Sequence, residues 1–248
     1  QVAVSLSLEG EVGFLHGHLP VRILHDGPSA SSDLVSGVNA SAWTLARAQA
    51  ERGDDVHFLI DSASKDQRQA AADLGITFQP CADVLERVRP DVIHAHSVFI
   101  PRQARLAFAA WRAGIPYVIQ PHGGVAPQVV ARGRMKKFSY STAVEKPRFR
   151  RASAVIAVLE PEQAEIKAFT GSGHPPIHVV PNPIAPPPDV RHVANQGCED
   201  AVYMGRFDTY HKGLDRLASL ASKLPDVTFG LYGTEDRTAL PVLPSNVR

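Results

Sequence analysis

The sequence has few cysteines and no long apolar run, and each shortage excludes a class of protein. Cys81 and Cys198 are the two cysteines among 248 residues, and they lie too far apart to match a metal-binding spacing. Such low cysteine usage suits a reducing compartment. No apolar run is long enough to cross a bilayer, and a net charge of +1 gives no overall field that would favour nucleic acid or a membrane. We therefore expect a globular protein that binds no nucleic acid.

The N-terminus lacks the pattern of a signal peptide, because it has no basic start and it contains Glu9 and Glu11. Together with the cysteine usage, this predicts a cytoplasmic protein. The first residue is glutamine rather than methionine, which is consistent with a fragment of a longer chain. Residues 1–20 precede the first clear strand and are interpreted as an N-terminal extension.

From residue 21 onward, short apolar runs alternate with helical patterns. Up to residue 180, the runs with the length and composition of strands are 21–25, 56–60, 76–78, 92–94, 117–119, 154–158 and 177–180. The segments between them repeat apolar residues at helical spacing and end before glycine or proline, as helices do. This alternation predicts a parallel sheet covered on both faces, so residues 21–180 are expected to form a doubly wound α/β domain.

A change of composition follows this domain. Residues 181–199 contain five prolines and fit no helical period, which predicts a semi-rigid linker. A second β-α-β pattern begins at residue 200, and residues 246–248 resemble the start of a further strand. We interpret residues 200–248 as the first, incomplete part of a second Rossmann-like domain.

The most informative segment joins the first strand of this second domain to its helix. The strand runs into Gly205-Arg206, and Lys212-Gly213 precedes the helix. The free N–H groups and the positive dipole end of a helix attract anions. Arginine forks onto phosphate oxygens, lysine adds a compact charge, and Gly213 leaves space for a phosphate to approach. The pattern predicts a diphosphate held without a metal, and the alternative is that Arg206 and Lys212 are ordinary solvated cations.

Two other strand-end segments carry candidate residues. In the loop at residues 27–37, small residues that include Gly37 could let backbone N–H groups approach a phosphate, although a plain flexible loop explains them equally well. His94 and His96 lie two residues apart on a strand and so share a face, a spacing that suits a pair of metal ligands. Because no third ligand is evident, the sequence favours no metal, with His94 as a packed core residue and His96 as a helix or loop contact.

His122-Gly123-Gly124 comes shortly after the strand at residues 117–119. In open α/β sheets, ligands bind outside the carboxyl ends of strands, and the two glycines leave the backbone open there. An imidazole can donate a hydrogen bond to a hydroxyl group or a carbonyl near a reacting carbon. His122 is therefore a candidate for contact with a reacting group, and the alternative is a turn histidine that stabilises its own loop.

Residues 132–151 are unusually basic. The segment contains eight cations and a single acid, Glu145; the cations are Arg132, Arg134, Lys136, Lys137, Lys146, Arg148, Arg150 and Arg151. One interpretation is contact with an anionic acceptor or peripheral contact with a membrane. The other, which is commoner and slightly favoured, is a solvated helix face.

From residue 21 to residue 248, the sequence resembles the family-four retaining glycosyltransferases. The second domain of that family opens with a strand, Gly-Arg, a loop and Lys-Gly-hydrophobic-Asp, which here are Gly205-Arg206 and residues 212–215. The resemblance implies the GT-B fold, in which two doubly wound domains face each other across a cleft. It also implies that Arg206 and Lys212 bind the diphosphate of a nucleotide-sugar donor. Among the histidines, it favours His122 as the catalytic residue, in contact with the donor sugar at its anomeric centre.

The resemblance extends to other strand ends. It implies that His96, Gly123 and Gly124 line the cleft, and that no metal or other cofactor is needed. Gly37 lies in the segment that corresponds to the family's loop for the donor diphosphate. The family often has two adjacent glycines in that loop, whereas this sequence has Ser36 before Gly37. The family's Pro-Asn-Gly at the crossing to the second domain is Pro-Asn-Pro at residues 181–183, so Asn182 is interpreted as structural.

The implied activity is transfer of a sugar, of the hexosyltransferase type, from a nucleotide-diphosphate sugar to a glycan, lipid or small-molecule acceptor. The anomeric configuration would be retained, and the role would be in carbohydrate biosynthesis. Two glutamates that bind the donor in the family would lie beyond Arg248, so we expect the isolated chain to have little or no activity. The alternatives are a sugar-nucleotide epimerase of the same fold and a non-catalytic module that binds a sugar nucleotide.

Overall fold

The computed structural model describes residues 19–28, 37–131, 138–183, 199–205, 207, 209–233 and 240–248. The predicted extension up to residue 18 and most of the predicted linker lie outside this part of the chain. The chain divides into two compact units, Gln1–Pro186 and Pro187–Arg248. The domain limits at residues 180 and 200 stay predictions, because residues 184–198 are not described.

Nine strands are present in the described part of the chain, seven in the first unit and two in the second. Their bounds are β1 Arg22–Asp26, β2 Asp55–Leu59, β3 Ile76–Gln79, β4 Val92–His96, β5 Tyr117–Gln120, β6 Ala154–Ala157, β7 Ile177–Val179, β8 Ala201–Met204 and β9 Phe229–Tyr232. All seven strands predicted in the first unit are confirmed, with ends that differ by one or two residues. The predicted strand start at residues 246–248 is confirmed by a parallel bridge between Phe229 and Val247.

Helices connect the strands. They are α1 Gly37–Glu51, α2 Lys65–Asp73, α3 Val84–Val88, α4 Pro101–Arg112, α5 Pro127–Ala131, α6 Lys146–Arg151, α7 Glu160–Thr170, α8 Thr209–Lys212 and α9 Leu214–Lys223, and a π-helical turn at Ser141–Glu145 leads into α6. α2 begins with a capping box, in which the Ser64 hydroxyl accepts from the Gln67 N–H and the Gln67 side chain accepts from the Ser64 N–H.

The first unit is a doubly wound parallel sheet, as predicted. Its strand order is β3-β2-β1-β4-β5-β6-β7, and every pairing is parallel. The order reverses between β1 and β4, so the connections from these two neighbouring strands leave in opposite directions. A crevice that binds ligands forms outside the carboxyl ends of strands at such a switch point.

Apolar side chains fill both faces of this sheet. On one face, Val56, Phe58 and Ile76 pack against Ala42 and Ala46 of α1. The other face carries the larger cluster; its buried members include Leu24, Ile93, Tyr117, Ile119 and Val155 from the strands and Val84, Ala107, Phe149, Ile166 and Phe169 from the helices. Since the central strands are covered on both faces, the polar side chains along them are removed from water, and they need partners inside the protein.

One charged pair lies entirely inside the first unit. Arg148 and Glu145 are both 0% exposed, and Nη1 of Arg148 lies 3.1 Å from Oε2 of Glu145. Glu145 also accepts from the Phe99 N–H, while the Arg148 carbonyl accepts from the Tyr117 hydroxyl. These partners offset the cost of removing the two charges from water.

The position of Arg148 corrects the interpretation of one of the eight cations at residues 132–151, and the interpretation of the segment as a whole stays a prediction. Arg148 lies neither on a solvated helix face nor on a membrane-facing one, because it serves as a core partner for Glu145. Arg151 is exposed and its guanidinium lies 4.6 Å from the centre of the Trp111 ring, a cation–π contact. The four cations from Arg132 to Lys137 lie outside the described residues. No helix among the described residues is long and apolar enough to span a bilayer.

The second unit contains β8, β9 and the helix α9. β8 and β9 pair in parallel, and the backbone of residues 246–248 bonds to β9. The side-chain amide of Asn246 donates to the carbonyls of Ala221, Leu224 and Val227 at 2.8–3.1 Å. Because the last carbonyls of a helix have no partner within it, Asn246 stabilises the end of α9 and joins it to the sheet.

Replacing Glu145 by Gln tests the buried pair. The substitution leaves the Arg148 guanidinium buried without its adjacent carboxylate, so we expect a loss of about 3 kcal/mol in the free energy of unfolding. The matched control is Glu51→Gln, which breaks the exposed pair between Arg47 and Glu51 and should cost less than about 0.5 kcal/mol. Denaturant unfolding followed by circular dichroism measures both. Equal losses in the two variants would contradict a structural role for the buried pair.

Candidate functional site

The candidate site lies at the switch point of the sheet, where β1, β4 and β5 end. His25 and Asp26 close β1, His96 closes β4, and His122 follows β5. The side-chain amide of Gln103 in α4 donates to the carbonyls of Asp26 and His96, each at 2.9 Å. Gln103 therefore joins the ends of the two strands between which the strand order reverses.

Four imidazoles meet at this edge of the sheet. His25 and His94 are register partners on β1 and β4, and His96 lies two residues beyond His94 on the same face. His25 and His96 are fully buried and His94 is 6% exposed. Nδ1 of His25 lies 3.0 Å from Nε2 of His96, whose Nδ1 lies 3.3 Å from Nε2 of His122. At the other end, Nε2 of His25 lies 2.7 Å from Oε1 of Gln49.

Burial keeps these imidazoles neutral. It lowers the pKa of His25 to about 4 and that of His122 to about 4. Burial also lowers the pKa of His94 and of His96 well below the usual value, and the neighbouring imidazoles add to this effect. A neutral imidazole has one donor nitrogen and one acceptor nitrogen, so each of these four rings can both donate and accept a hydrogen bond.

The pKa of a carboxyl group beside the imidazoles is shifted in the opposite direction. Burial raises the pKa of Asp26 to about 6, against the opposing effect of Arg102 and Arg148. Oδ1 of Asp26 lies 2.5 Å from Nη1 of Arg102. Arg102 in turn donates to the Gly27 carbonyl, so this ion pair fixes the backbone where the chain leaves β1.

The histidine geometry favours hydrogen bonding over metal binding. His25, His94 and His96 each have a ring nitrogen within 4.8 Å of the others, which is close enough to consider a metal ion. However, the rings of His94 and His96 are stacked, with centres 4.0 Å apart and planes inclined by 26°. Nitrogen lone pairs lie in the ring plane, so two nearly parallel rings do not aim at a common point about 2.0 Å from both.

The loop after β5 holds His122 in an unusual backbone conformation. Its φ is +52°, in the left-handed region, which costs a residue with a side chain about 1 kcal/mol. Gly123 has φ +74°, a value that glycine adopts without strain. Gly124 is needed for space, because a Cβ there would lie 2.5 Å from Cγ2 of Val98. The two glycines therefore have separate roles in placing the His122 ring.

A buried carboxylate stabilises this loop from the neighbouring helix. Glu162, in the first turn of α7, accepts from the Gly123 N–H at 2.5 Å and from the Val158 N–H at 2.6 Å. Its side chain thus links the loop after β5 to the segment after β6. Negative charge is also favourable in the first turn of a helix. Glu162 was not predicted as a site residue, since an acid at a helix start is common and nothing in the sequence relates it to Gly123.

The structure brings some of the predicted residues together. His96 and His122 are in contact, and Gly123 and Gly124 adjoin them, but the His96 ring is enclosed and reaches no open surface. His94 is confirmed as a buried residue of the sheet. Gly37 is the first residue of α1, and residues 29–36 before it lie outside the described part of the chain. Asn182 accepts a hydrogen bond from the Gln120 side chain at 3.3 Å, in keeping with its structural interpretation.

In the second unit, Lys212 and Gly213 lie directly before α9, as predicted. Lys212 is exposed, and Gly213 has φ +66° where the chain turns into the helix. Arg206 lies outside the described residues, so its place in the site stays a prediction. Gly233 was not predicted: a Cβ there would lie 2.0 Å from the Gly205 carbonyl oxygen, so only glycine fits where β8 and β9 end together.

Solved structures with a similar fold are glycosyltransferases. Anabaena Alr3699/HepE, solved with UDP and glucose, is 18% identical with a TM-score of 0.55, over 85% of this chain and 60% of HepE. Arabidopsis thaliana UGT89C1, solved with UDP-L-rhamnose, is 13% identical with a TM-score of 0.53, over 93% of this chain and 68% of that protein. These likenesses establish the fold, which is GT-B.

The relation to known sequences is more limited. No curated protein matches the chain significantly. The chain spans 60% of the length of HepE.

A family model identifies the chain. The model of Glycosyltransferase Family 4 matches residues 35–186, which is more than half of the sequence. The matched region runs from α1 to the end of the first unit, so it contains the buried imidazoles of β4, the loop that carries His122, and Glu162. The chain belongs to Glycosyltransferase Family 4.

Proposed function

We propose that the protein transfers a sugar from a nucleotide-diphosphate sugar to an acceptor with retention of the anomeric configuration, in the cytoplasm and without a metal. The observation that carries the proposal is His122: a neutral imidazole, half-buried at the carboxyl end of β5, in a loop that a buried carboxylate holds in place. Membership of the family and the GT-B fold support it, as do the complexes of HepE with UDP and glucose and of UGT89C1 with UDP-L-rhamnose.

His122 would act on the donor sugar by hydrogen bonding. Because the ring is neutral, it can offer a nitrogen to a sugar hydroxyl without placing a full positive charge beside the anomeric carbon. That carbon becomes electron-poor as the bond to the diphosphate stretches towards an oxocarbenium-like state, so a cation there would be unfavourable. A fixed neutral group needs no reorganisation during the reaction, which is the source of its benefit.

The diphosphate would be held by Arg206 and Lys212, with Gly37 as a backbone contact. Negative charge develops on the leaving diphosphate, and fixed cations stabilise it. The exposed ammonium of Lys212 lies at the start of α9, whose N-terminal dipole has the same sign. The acceptor would be a glycan, a lipid or a small molecule.

The stereochemical course of the reaction tests the proposal. The protein expressed from its complete reading frame is incubated with UDP-glucose and a panel of acceptors, and the first product is examined by proton NMR. We expect the product to have the anomeric configuration of the donor, and we expect His122→Asn, which tolerates the left-handed backbone, to be at least about 100-fold slower. The exposed His174→Asn is the control and should keep full activity.

Each other outcome points to a different function. An inverted product would contradict retention, and a new sugar nucleotide formed without any acceptor would identify an epimerase. Binding of the donor without transfer of its sugar to any acceptor would identify a binding module. Full activity of His122→Asn would remove His122 from the reaction.

Lys212→Ala tests the phosphate site. Loss of one charged contact to the diphosphate is expected to weaken UDP binding about tenfold, equivalent to about 1.4 kcal/mol, as measured by isothermal titration calorimetry. The control is Lys223→Ala, which removes an exposed cation at the opposite end of α9 and should leave the affinity unchanged. If both variants bind UDP equally well, Lys212 does not contact the phosphates.

Acid should destabilise the protein through the buried imidazoles. The unfolded chain takes up protons on histidine near pH 6.5, whereas folded His25 and His122 take them up only near pH 4. The free energy of unfolding should therefore fall as the pH is lowered from about 6.5 to about 4, with up to about 3 kcal/mol lost through His25 alone. Asp26 has a raised pKa and acts in the opposite sense between pH 6 and 4, but it is one group against four imidazoles.

Urea unfolding at a series of pH values measures this slope. His94→Gln should make the slope shallower because it removes one of the imidazoles whose pKa the fold lowers. His174→Gln, at an exposed position, should not change the slope. A free energy of unfolding that stays constant or rises on acidification would mean that the imidazoles are not held neutral by the fold.

A further inference from the structure

A continuous row of hydrogen-bonding groups runs from α1 to the loop that carries His122. Oε1 of Gln49 lies 2.7 Å from Nε2 of His25, and Nδ1 of His25 lies 3.0 Å from Nε2 of His96. Nδ1 of His96 lies 3.3 Å from Nε2 of His122. Each of the two inner imidazoles uses both of its ring nitrogens within the row. We call these four side chains the imidazole row.

The chemistry of neutral imidazole makes the row directional. A neutral ring carries its proton on one nitrogen and a lone pair on the other. When the Gln49 oxygen accepts from Nε2–H of His25, Nδ1 of His25 must be an acceptor, and it receives the Nε2–H of His96. Nδ1 of His96 is then an acceptor for Nε2–H of His122. The protonation of every ring follows from the group at the start of the row.

His122, the last side chain of the imidazole row, is only half-buried and so reaches the surface of the site. With its proton on Nε2, His122 presents the lone pair of Nδ1 as an acceptor. Had the amide nitrogen of Gln49 faced His25, each bond would be reversed, and His122 would carry its proton on Nδ1 and present a donor. One amide orientation on α1 therefore distinguishes an accepting His122 from a donating one.

We propose that Gln49 is a positioning residue that, through His25 and His96, fixes the tautomer of His122 with its proton on Nε2. The significance for catalysis rests on the proposed function, in which His122 contacts a hydroxyl of the donor sugar. An accepting Nδ1 receives a hydrogen bond from that hydroxyl, which makes the sugar oxygen more electron-rich. Gln49 touches no substrate and acts only through the other members of the row.

The burial of the row supports this role. His25 and His96 are 0% exposed, so water does not compete for their nitrogens. The rings are also held in orientation by stacking: His25 lies 5.7 Å from the Phe58 ring at an angle of 15°, and His96 stacks on His94 at 4.0 Å. A ring that cannot turn keeps the same nitrogen towards the same neighbour.

Nitrogen NMR of the imidazole rings tests the proposal. Long-range nitrogen–proton spectra of the uniformly labelled chain at pH 7 separate protonated from unprotonated ring nitrogens. We expect His25, His96 and His122 each to carry the proton on Nε2 in the unsubstituted protein. Protonation of His122 on Nδ1 would overturn the proposal. This measurement uses only the unsubstituted protein, so it does not require any variant to fold.

Substitutions at the start of the row make the test causal. Gln49→Leu removes the acceptor, so His122 should shift from one dominant tautomer to comparable amounts of both. Gln49→Glu retains an acceptor oxygen and should restore the Nε2–H form. Gln69→Leu is the control, because it makes the same change at an exposed position of α2 and should leave His122 unaltered. An unchanged His122 tautomer in Gln49→Leu would overturn the proposal.

The result is separable from the proposed function. The tautomers are read without donor, so the imidazole row can be confirmed whether or not His122 contacts a sugar. Conversely, His122 signals that do not move on addition of UDP-glucose would count against the proposed function alone. In the active protein, Gln49→Leu should lower the rate of transfer at saturating donor by about tenfold, and Gln49→Glu should recover most of it.

Discussion

The side chain of Gln103 provides the contact on which the candidate site most depends. At a switch point, two neighbouring parallel strands send their connections to opposite faces of the sheet. The pairing of β1 with β4 ends at Asp26 and Ala95, so a link between the end of β1 and His96 has to come from outside that ladder. Gln103 supplies that link by donating to the carbonyls of both Asp26 and His96 from the first turn of α4. With the two strand ends fixed, His25 and His96 stay within hydrogen-bond distance of each other.

The polar interior that results is costly and only partly paired, since the buried Nε2 of His94 and Nε of Arg148 have no hydrogen-bond partner among the described residues. Removing an imidazole or a carboxylate from water without a partner destabilises a fold, and leucine at the same positions would pack without that cost. The protein instead places rings that bond to each other in sequence, beside an Asp26–Arg102 pair and a buried Glu145–Arg148 pair. The arrangement exchanges some stability for fixed hydrogen-bond directions at the edge where a ligand would bind.

Much of the architecture could be predicted from the sequence, because short apolar runs alternate with helical patterns and glycine or proline separates them. Strand-end reasoning also predicted that His122 and its two glycines closely follow a strand, since they come after a run that has to be buried, and the structure places them there. The rest depends on contacts between distant positions. Glu162 lies 39 residues from Gly123, and Gln49 lies 24 residues from His25. Neither relation leaves a local pattern, and the same is true of the buried Arg148, which in sequence is one of eight similar cations.

The two tryptophans of the first unit lie in different surroundings, so their fluorescence should differ. Trp43 of α1 packs against Phe58 and Phe78, and Phe58 in turn stacks on His25, so its indole lies one ring away from the imidazoles. Trp111 of α4 is half exposed beneath the Arg151 guanidinium. The chain has no other tryptophan. The intrinsic fluorescence of the chain is therefore the sum of two emitters on opposite faces of the same sheet, one partly buried against two phenylalanine rings and one half exposed to solvent.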